Sequence, residues 1–287
     1  MSRPLSSEYS LKLGFSFNIN LGRNLEPYRN ATLYQDFDAA VLVDGKEGSG
    51  KTVIAFQVAT FLDKDNHLDL EKQVCFTPEH FKEAVQTLEK GKAIVWDEAR
   101  RGLNRRRSTQ DTNIEITDML AECRQNNLFL VIVMPTFYDM DMNAAVWRTR
   151  LLIHVWYTWE EDQKNPKPLK RGYFRFYSEE GKKKLYTNKR WRQGYEYPYL
   201  KNDSFEGTFP HFYCVDEREY RKRKRQSESY YSNKNNNKKS DAPRLINWLV
   251  TNNWLKNGGL PAIAAYFGVS ERTVRDWRKA AGARYNS

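Results

Sequence analysis

Cysteine is scarce and scattered in this chain. Cys75, Cys123 and Cys214 lie far apart, with no C-x-x-C pair and no histidine at partnering spacing, so neither a disulfide framework nor a zinc finger is expected. Long apolar runs are missing as well. The longest, Leu128 to Met134 and Leu151 to Tyr157, fall far short of the ~20 residues of a membrane-crossing helix. The opening MSRPLSSEYS has no apolar leader core. The expectation is a soluble protein of a reducing, cytoplasmic compartment with no membrane span. What is present suffices for a packed core: 287 residues at 40% hydrophobic imply one large domain or two unequal ones.

The net charge is +11, and where it sits says more than its size. Residues 1–163 hold 19 Lys/Arg against 24 Asp/Glu, a net of −5, while residues 164–287 hold 28 against 12, a net of +16. A basic excess confined to one end points to a polyanionic partner there. A solubility bias is the plainer alternative.

Four stretches differ in texture. Residues 1–38 are polar and aromatic, with weak alternation from Leu13 to Ile19 that reads as one strand. From 39 to 157, short apolar runs (Ala39–Val43, Val74–Phe76, Ala93–Trp96, Leu128–Met134, Leu151–Trp156) alternate with helix-compatible segments (Lys51–Leu62, Pro78–Glu89, Ile114–Asn126). Such runs are expected of a mainly parallel sheet covered on both faces. Residues 161–217 are rich in aromatics and Lys/Arg, and two alternating segments, Tyr173–Tyr177 and Lys184–Trp191, flank Ser178-Glu179-Glu180-Gly181. They read as an appended β-hairpin. Residues 218–242 are charged and Asn-rich with almost no aliphatic residue, the composition of a flexible basic linker. Apolar periodicity returns in 243–287. The expected fold is therefore α/β, with a domain over 1–160 (core 39–157), a β extension, a linker and a small all-α domain.

Gly45-Lys46-Glu47-Gly48-Ser49-Gly50-Lys51-Thr52 fits G-x-x-x-x-G-K-[ST], directly after Ala39–Val43 and directly before a helix-compatible stretch. Strand, loop and helix in that order are the context the motif requires. Its glycines let backbone N–H groups turn inward around phosphate oxygens, helped by the helix dipole. Lys51 then reaches the β- and γ-phosphates of ATP, and the Thr52 hydroxyl ligates Mg²⁺. The second half is Ala93-Ile94-Val95-Trp96-Asp97-Glu98, an apolar strand running into an acidic pair. Asp97 is the candidate for holding Mg²⁺ through water, and Glu98 for polarising an attacking water.

This pairing, with Asp97-Glu98-Ala99, the run Arg124–Thr136 and Trp147-Arg148-Thr149-Arg150, resembles the P-loop ATPases that carry an extra strand and a catalytic glutamate. Residues 39–157 look most like the FtsK/HerA branch, which includes zonular occludens toxin-like and viral DNA-packaging ATPases. The resemblance implies a strand ending in a polar sensor between the phosphate-loop strand and the Asp–Glu strand. Thr136 takes that sensor position, where many relatives carry Gln. It also implies an arginine serving a neighbouring subunit, with Arg148 or Arg150 as candidate against an ion pair at the core edge. Zonular occludens toxin-like proteins usually carry a membrane helix after the ATPase domain, and this chain has none. Lys46 sits where ParA/MinD-type partition ATPases carry a signature lysine, but no Asp-rich motif follows Gln73–Phe76.

Two basic features lie beyond this site. Arg100, Arg101, Arg105, Arg106 and Arg107 crowd eight residues after Glu98 with no acid among them, a candidate DNA-tracking loop or a contact for an acidic protein surface. Residues 259–279 read as a helix-turn-helix: Ala264 at the crossing, Gly268 in the turn, Ser270 as cap, and Ile263, Phe267, Val269, Val274 and Trp277 facing inward. Arg272, Thr273, Arg275, Asp276, Arg278 and Lys279 are left for a major-groove face. The stretch resembles the DNA-binding heads of resolvases and of viral terminase small subunits. Together the modules imply an ATP-driven motor on double-stranded DNA, working as a homo-oligomeric ring for a virus or mobile element. It would act in the host cytoplasm, with a capsid or portal-like docking partner. The alternatives are a partition ATPase, or a DNA-binding regulator that senses ATP without acting as a motor.

Overall fold

The computed structural model describes residues 8–97, 121–159, 169–227, 229, 259–267 and 269–280. The chain divides into two compact units, Met1–Tyr220 and Arg221–Ser287.

The first unit is α/β around a seven-stranded sheet. In chain order its elements are α1 (Glu8–Leu13), α2 (Ile19–Tyr34), β1 (Ala39–Gly45), α3 (Lys51–Leu62), β2 (Val74–Cys75), α4 (Pro78–Thr87), β3 (Ala93–Trp96), β4 (Phe129–Val133), β5 (Leu151–Trp159), β6 (Leu169–Tyr177), α5 (Glu179–Thr187), α6 (Lys189–Gly194) and β7 (Ser204–Thr208). The strand order is β2-β3-β4-β1-β5-β6-β7. The first five are parallel, with Val41 beside Val131 on one side and Leu151 on the other. The last two add antiparallel to β5.

Why the strands are uniformly apolar is visible in how they pack. Ala39, Val41 and Val43 enter one core layer while Ala40 and Leu42 enter the opposite one; Phe129, Val131 and Val133 alternate likewise with Leu130 and Ile132. Residues pointing to either face are buried, so Ala39–Val43 and Phe129–Val133 are apolar at every position, with the polar Asp44 only at the end of β1. α2 and α3 supply Leu21, Leu25, Ile54 and Val58 to the first layer, and α4 supplies Phe81 and Val85 to the second.

Two expectations are corrected. Leu13–Ile19 is no strand. The chain forms α1 and then α2, capped where the Asn18 side chain accepts from the N–H groups of Asn20 and Leu21. Phe15 and Phe17, which create the alternation, are buried between these helices and the core, so the pattern reports burial rather than pairing. The expected hairpin around Ser178–Gly181 is also absent. Tyr173–Tyr177 ends β6, but Lys184–Trp191 is helical. Ser178 is an N-cap whose hydroxyl accepts from the Gly181 N–H, and Glu179 and Glu180 sit in the first turn, where the helix dipole favours them. Gly181 serves close approach, since a Cβ there would lie 2.6 Å from the Asp203 carbonyl oxygen.

The second unit contains α7 (Gly259–Phe267) and α8 (Glu271–Ala280) among its described residues. Ser270 caps α8 by accepting from the Thr273 N–H at 3.2 Å, and Val274 and Ala264 are buried between the helices. Gly268 lies outside the described residues. So do residues 161–168, most of the linker and 243–258, although residues 217–227 at the linker's start are helical.

The buried Lys182 of α5 donates to the Thr149 carbonyl and hydroxyl, and burial lowers its pKa to about 7. Above that value the folded chain binds fewer protons here than the unfolded chain, so stability rises with pH, by at most about 1.4 kcal/mol per pH unit. From pH ~9 the buried thiols, pushed the other way by desolvation, oppose the trend. Urea denaturation at pH 7.0 and 8.5 is expected to show a higher midpoint at 8.5, with the difference reduced in Lys182→Met. An equal pH response in both chains would contradict this assignment.

Candidate functional site

The site lies at the carboxyl edge of the parallel strands, where β1 and β3 end. β1 is hydrogen-bonded on both sides, and at its last residue the chain leaves through a gap too small for a side chain. A Cβ on Gly45 (φ +139) would lie 2.0 Å from the Val155 carbonyl oxygen of β5. Gly48 (φ +73) and Gly50 (φ +99) take conformations open to glycine, and Gly50 caps α3. The loop from Gly45 to Thr52 thus curls over the amino end of α3, which has no acidic residue in its first turn. Lys51 Nζ donates to the Gly45 and Lys46 carbonyls at 2.8 Å each. Lys46, Glu47 and Gly48 are exposed, while the Ser49 hydroxyl is buried and, among the described residues, has no hydrogen-bond partner. Left-handed glycines, a cation, a helix amino end and a buried hydroxyl make a cradle suited to an anion.

Thr52 and Asp97 are 45 residues apart, yet the Thr52 hydroxyl donates to Asp97 Oδ1 at 3.4 Å. Asp97 is 1% exposed. Its Oδ2 accepts from the Tyr220 hydroxyl at 2.6 Å, and that hydroxyl is also 3.5 Å from Thr52 Oγ1. Tyr220 is itself buried, its ring edge-on to Phe56 at 5.2 Å. Two oxygen donors beside the loop fit the needs of magnesium, which takes one or two protein oxygens and fills the rest with water and phosphate. Among the described residues, no group of three or more His, Cys, Asp or Glu could hold a metal by itself. Glu98 lies outside the described residues, as do Arg100, Arg101, Arg105, Arg106 and Arg107.

The strand order sets β4 between β3 and β1, and Thr136 follows β4. Its hydroxyl accepts from the Tyr138 N–H and shares a hydrogen bond with the Tyr197 hydroxyl at 2.8 Å. Tyr197 in turn donates to Asp44, the residue before Gly45. Asp44 is fully buried and also binds the Phe137 N–H and His154 Nδ1, each at 2.8 Å. Burial and the Asp44 carboxylate push the Tyr197 phenol far above its usual range, so it stays a donor. Through Tyr197, Thr136 is thus wired to Asp44 at the base of the Gly45–Thr52 loop.

Arg150 lies at the opposite edge. It precedes β5 and stands beside Ala40, five residues before Gly45 in the β1 register, or roughly 17 Å away. Its guanidinium lies 3.6 Å from Asp38 and 3.9 Å from Glu179, over the ring of Phe37. Within its own chain it makes the core-edge ion pair weighed as the alternative above. Arg148 is half-buried at the end of a π-helical turn, Asn143–Arg148.

Sequence reasoning missed two partners of the loop. Arg171, on β6, donates from Nε to the Gly48 carbonyl at 2.6 Å. Phe209, just after β7, sets its ring 3.3 Å from where a Cβ on Gly50 would stand. Tyr220 was hidden in the same way, inside the basic stretch Arg218–Arg225. Nothing local marks any of them, because each reaches the site through long-range packing.

On α8, Arg272, Arg275 and Asp276 are exposed and Thr273 is half-buried. Arg275 pairs with Glu271 one turn back at 3.3 Å. The backbone of Arg278 and Lys279 continues the helix, and their side chains lie outside the described residues. Among the described residues, no helix is long and apolar enough to cross a membrane.

Comparison with protein-family models, curated proteins and solved structures returned no match.

Replacing Asp44 by Ala removes the acceptor for three donors at the root of the loop. It is expected to lower unfolding stability by about 3 kcal/mol in chemical denaturation. A loss under about 0.5 kcal/mol, the size of an ordinary surface substitution, would contradict the structural role given to this carboxylate.

Proposed function

We propose that the chain is a P-loop ATPase that moves double-stranded DNA. One observation carries the nucleotide part: the loop Gly45–Thr52 and Asp97, distant in sequence, meet at one strand edge with Thr52 and Asp97 in contact. In this reading the loop amides and Lys51 bind the phosphates of ATP, and Thr52 and Asp97 hold Mg²⁺. The ion, when bound, neutralises charge on the phosphate chain. Glu98, the residue after Asp97, orients and polarises the attacking water. The Tyr220 hydroxyl on Asp97 Oδ2 draws on the same carboxylate charge that would serve the ion, so the two compete.

The DNA part rests on the sequence. The net +16 of residues 164–287, the five arginines after Glu98 and the exposed Arg272 and Arg275 beside α8 Thr273, Arg278 and Lys279 are the candidate phosphate and base contacts. Module order supports packaging or transfer of a viral or mobile-element genome by a ring of identical subunits, docked on a capsid or portal-like partner in the host cytoplasm.

Steady-state ATP hydrolysis with and without double-stranded DNA tests the reading. The expected result is turnover stimulated by DNA and reduced at least ~100-fold in Glu98→Gln, with Tyr220→Phe needing less magnesium for half-maximal rate. ATP binding with negligible turnover under every condition would contradict a motor and favour an ATP-sensing regulator. An unchanged magnesium requirement in Tyr220→Phe would contradict the competition.

A further inference from the structure

We infer that Arg171 is a phosphate-binding residue supplied in cis: the antiparallel extension, rather than the parallel core, brings a second cation to the nucleotide. This rests on the nucleotide reading above and adds a residue to it. The guanidinium lies on the Gly48 carbonyl at 2.6 Å, against the exposed crown of the loop. Among the described residues it has no carboxylate partner, whereas its neighbour on β6, Arg175, is paired with Glu206. Arg171 is exposed, and its hydrogen bond to Gly48 sets its charge against a loop whose own cations are Lys46 and Lys51.

Its position is built in rather than accidental. The next residue, Gly172, has φ +92, and a Cβ there would lie 2.6 Å from the Phe209 carbonyl oxygen. The Phe209 N–H donates to the Gly172 carbonyl at 2.9 Å, which ties the residue after β7 to β6. The following segment is tied down to α3, because the Gln57 amide donates to the carbonyls of Pro210 and Phe212 at 2.8 and 3.0 Å. The Phe209 ring then covers Gly50. Arg171 and Phe209 therefore close over the loop as one piece, held from β6 on one side and from α3 on the other. Guanidinium presents paired donors in a planar fork matched to phosphate oxygens. A small swing from the Gly48 carbonyl, its only partner among the described residues, turns that fork to the anion.

The test is the affinity of the full chain for a fluorescent ATP analogue with Mg²⁺, for wild type, Lys51→Ala, Arg171→Ala, Arg171→Gln and Arg171→Lys. Thermal midpoints of the unliganded chains and affinity for a DNA duplex are measured alongside. The expected result is binding weakened roughly ten- to hundredfold in both Ala and Gln variants, partly restored by Lys, with unchanged thermal midpoints. Gln keeps an N–H donor for the Gly48 carbonyl but no charge. Wild-type affinity in Gln with loss in Ala would make Arg171 a prop for the loop and overturn the inference. Unchanged ATP affinity with weakened duplex binding would assign the arginine to nucleic acid and overturn it too. Failure of the wild type to bind the analogue would overturn the nucleotide reading and this inference together, whereas binding lost only in Lys51→Ala overturns this inference alone.

Discussion

The constraint on which the site depends is the double pairing of β1. Flanked in parallel by β4 and β5, the strand has hydrogen-bond partners on both sides to its last residue. The chain can leave it only through the space under the Val155 carbonyl, which admits no Cβ. That single exit forces Gly45, directs the loop over α3, and aims the helix's amino end at whatever the loop holds. The buried Asp44 secures the exit from below by gathering the Phe137 amide, His154 and Tyr197. A buried carboxylate is costly unless hydrogen-bonded, and here three donors meet it. The result is a rigid base beneath a glycine-rich crown.

Around that base the antiparallel half of the sheet does more than lengthen the fold. β6 delivers Arg171, the turn after β7 delivers Phe209, and the segment beyond delivers Tyr220 to Asp97. Tyr220 is the last residue of the first unit, one hydrogen bond from Asp97. The parallel core holds Lys51, Thr52 and Asp97, and the extension surrounds them.

The parallel core was legible because a strand buried on both faces must be apolar at consecutive positions. The runs at 39–43, 74–76, 93–96, 128–134 and 151–156 each contain or overlap a strand. That the loop Gly45–Thr52 and Asp97 would meet was legible because their residue types and spacing match a strand–loop–helix motif and the end of a neighbouring strand, and Thr52 does contact Asp97. Phe15 and Phe17 mislead because burial between helices can imitate the period of a strand. Ser178-Glu179-Glu180-Gly181 misleads because a capped helix start and a turn use the same small and acidic residues. Arg171, Phe209 and Tyr220 leave no local signature at all: each lies far along the chain from the loop it touches, and only the register of β5, β6 and β7 brings them in. Arg150 shows the converse, a conspicuous arginine engaged by Asp38 and Glu179 at the wrong edge of the sheet for its own loop.

The central claim is that Gly45–Thr52 and Asp97 together form a magnesium–nucleotide site. Calorimetric titration of ATP into the full chain, first with magnesium and then with the ion chelated, addresses it directly. The account predicts saturation at one ATP per chain, with affinity falling when magnesium is removed. Absence of saturable binding in both conditions, from a chain shown to be folded, would contradict it.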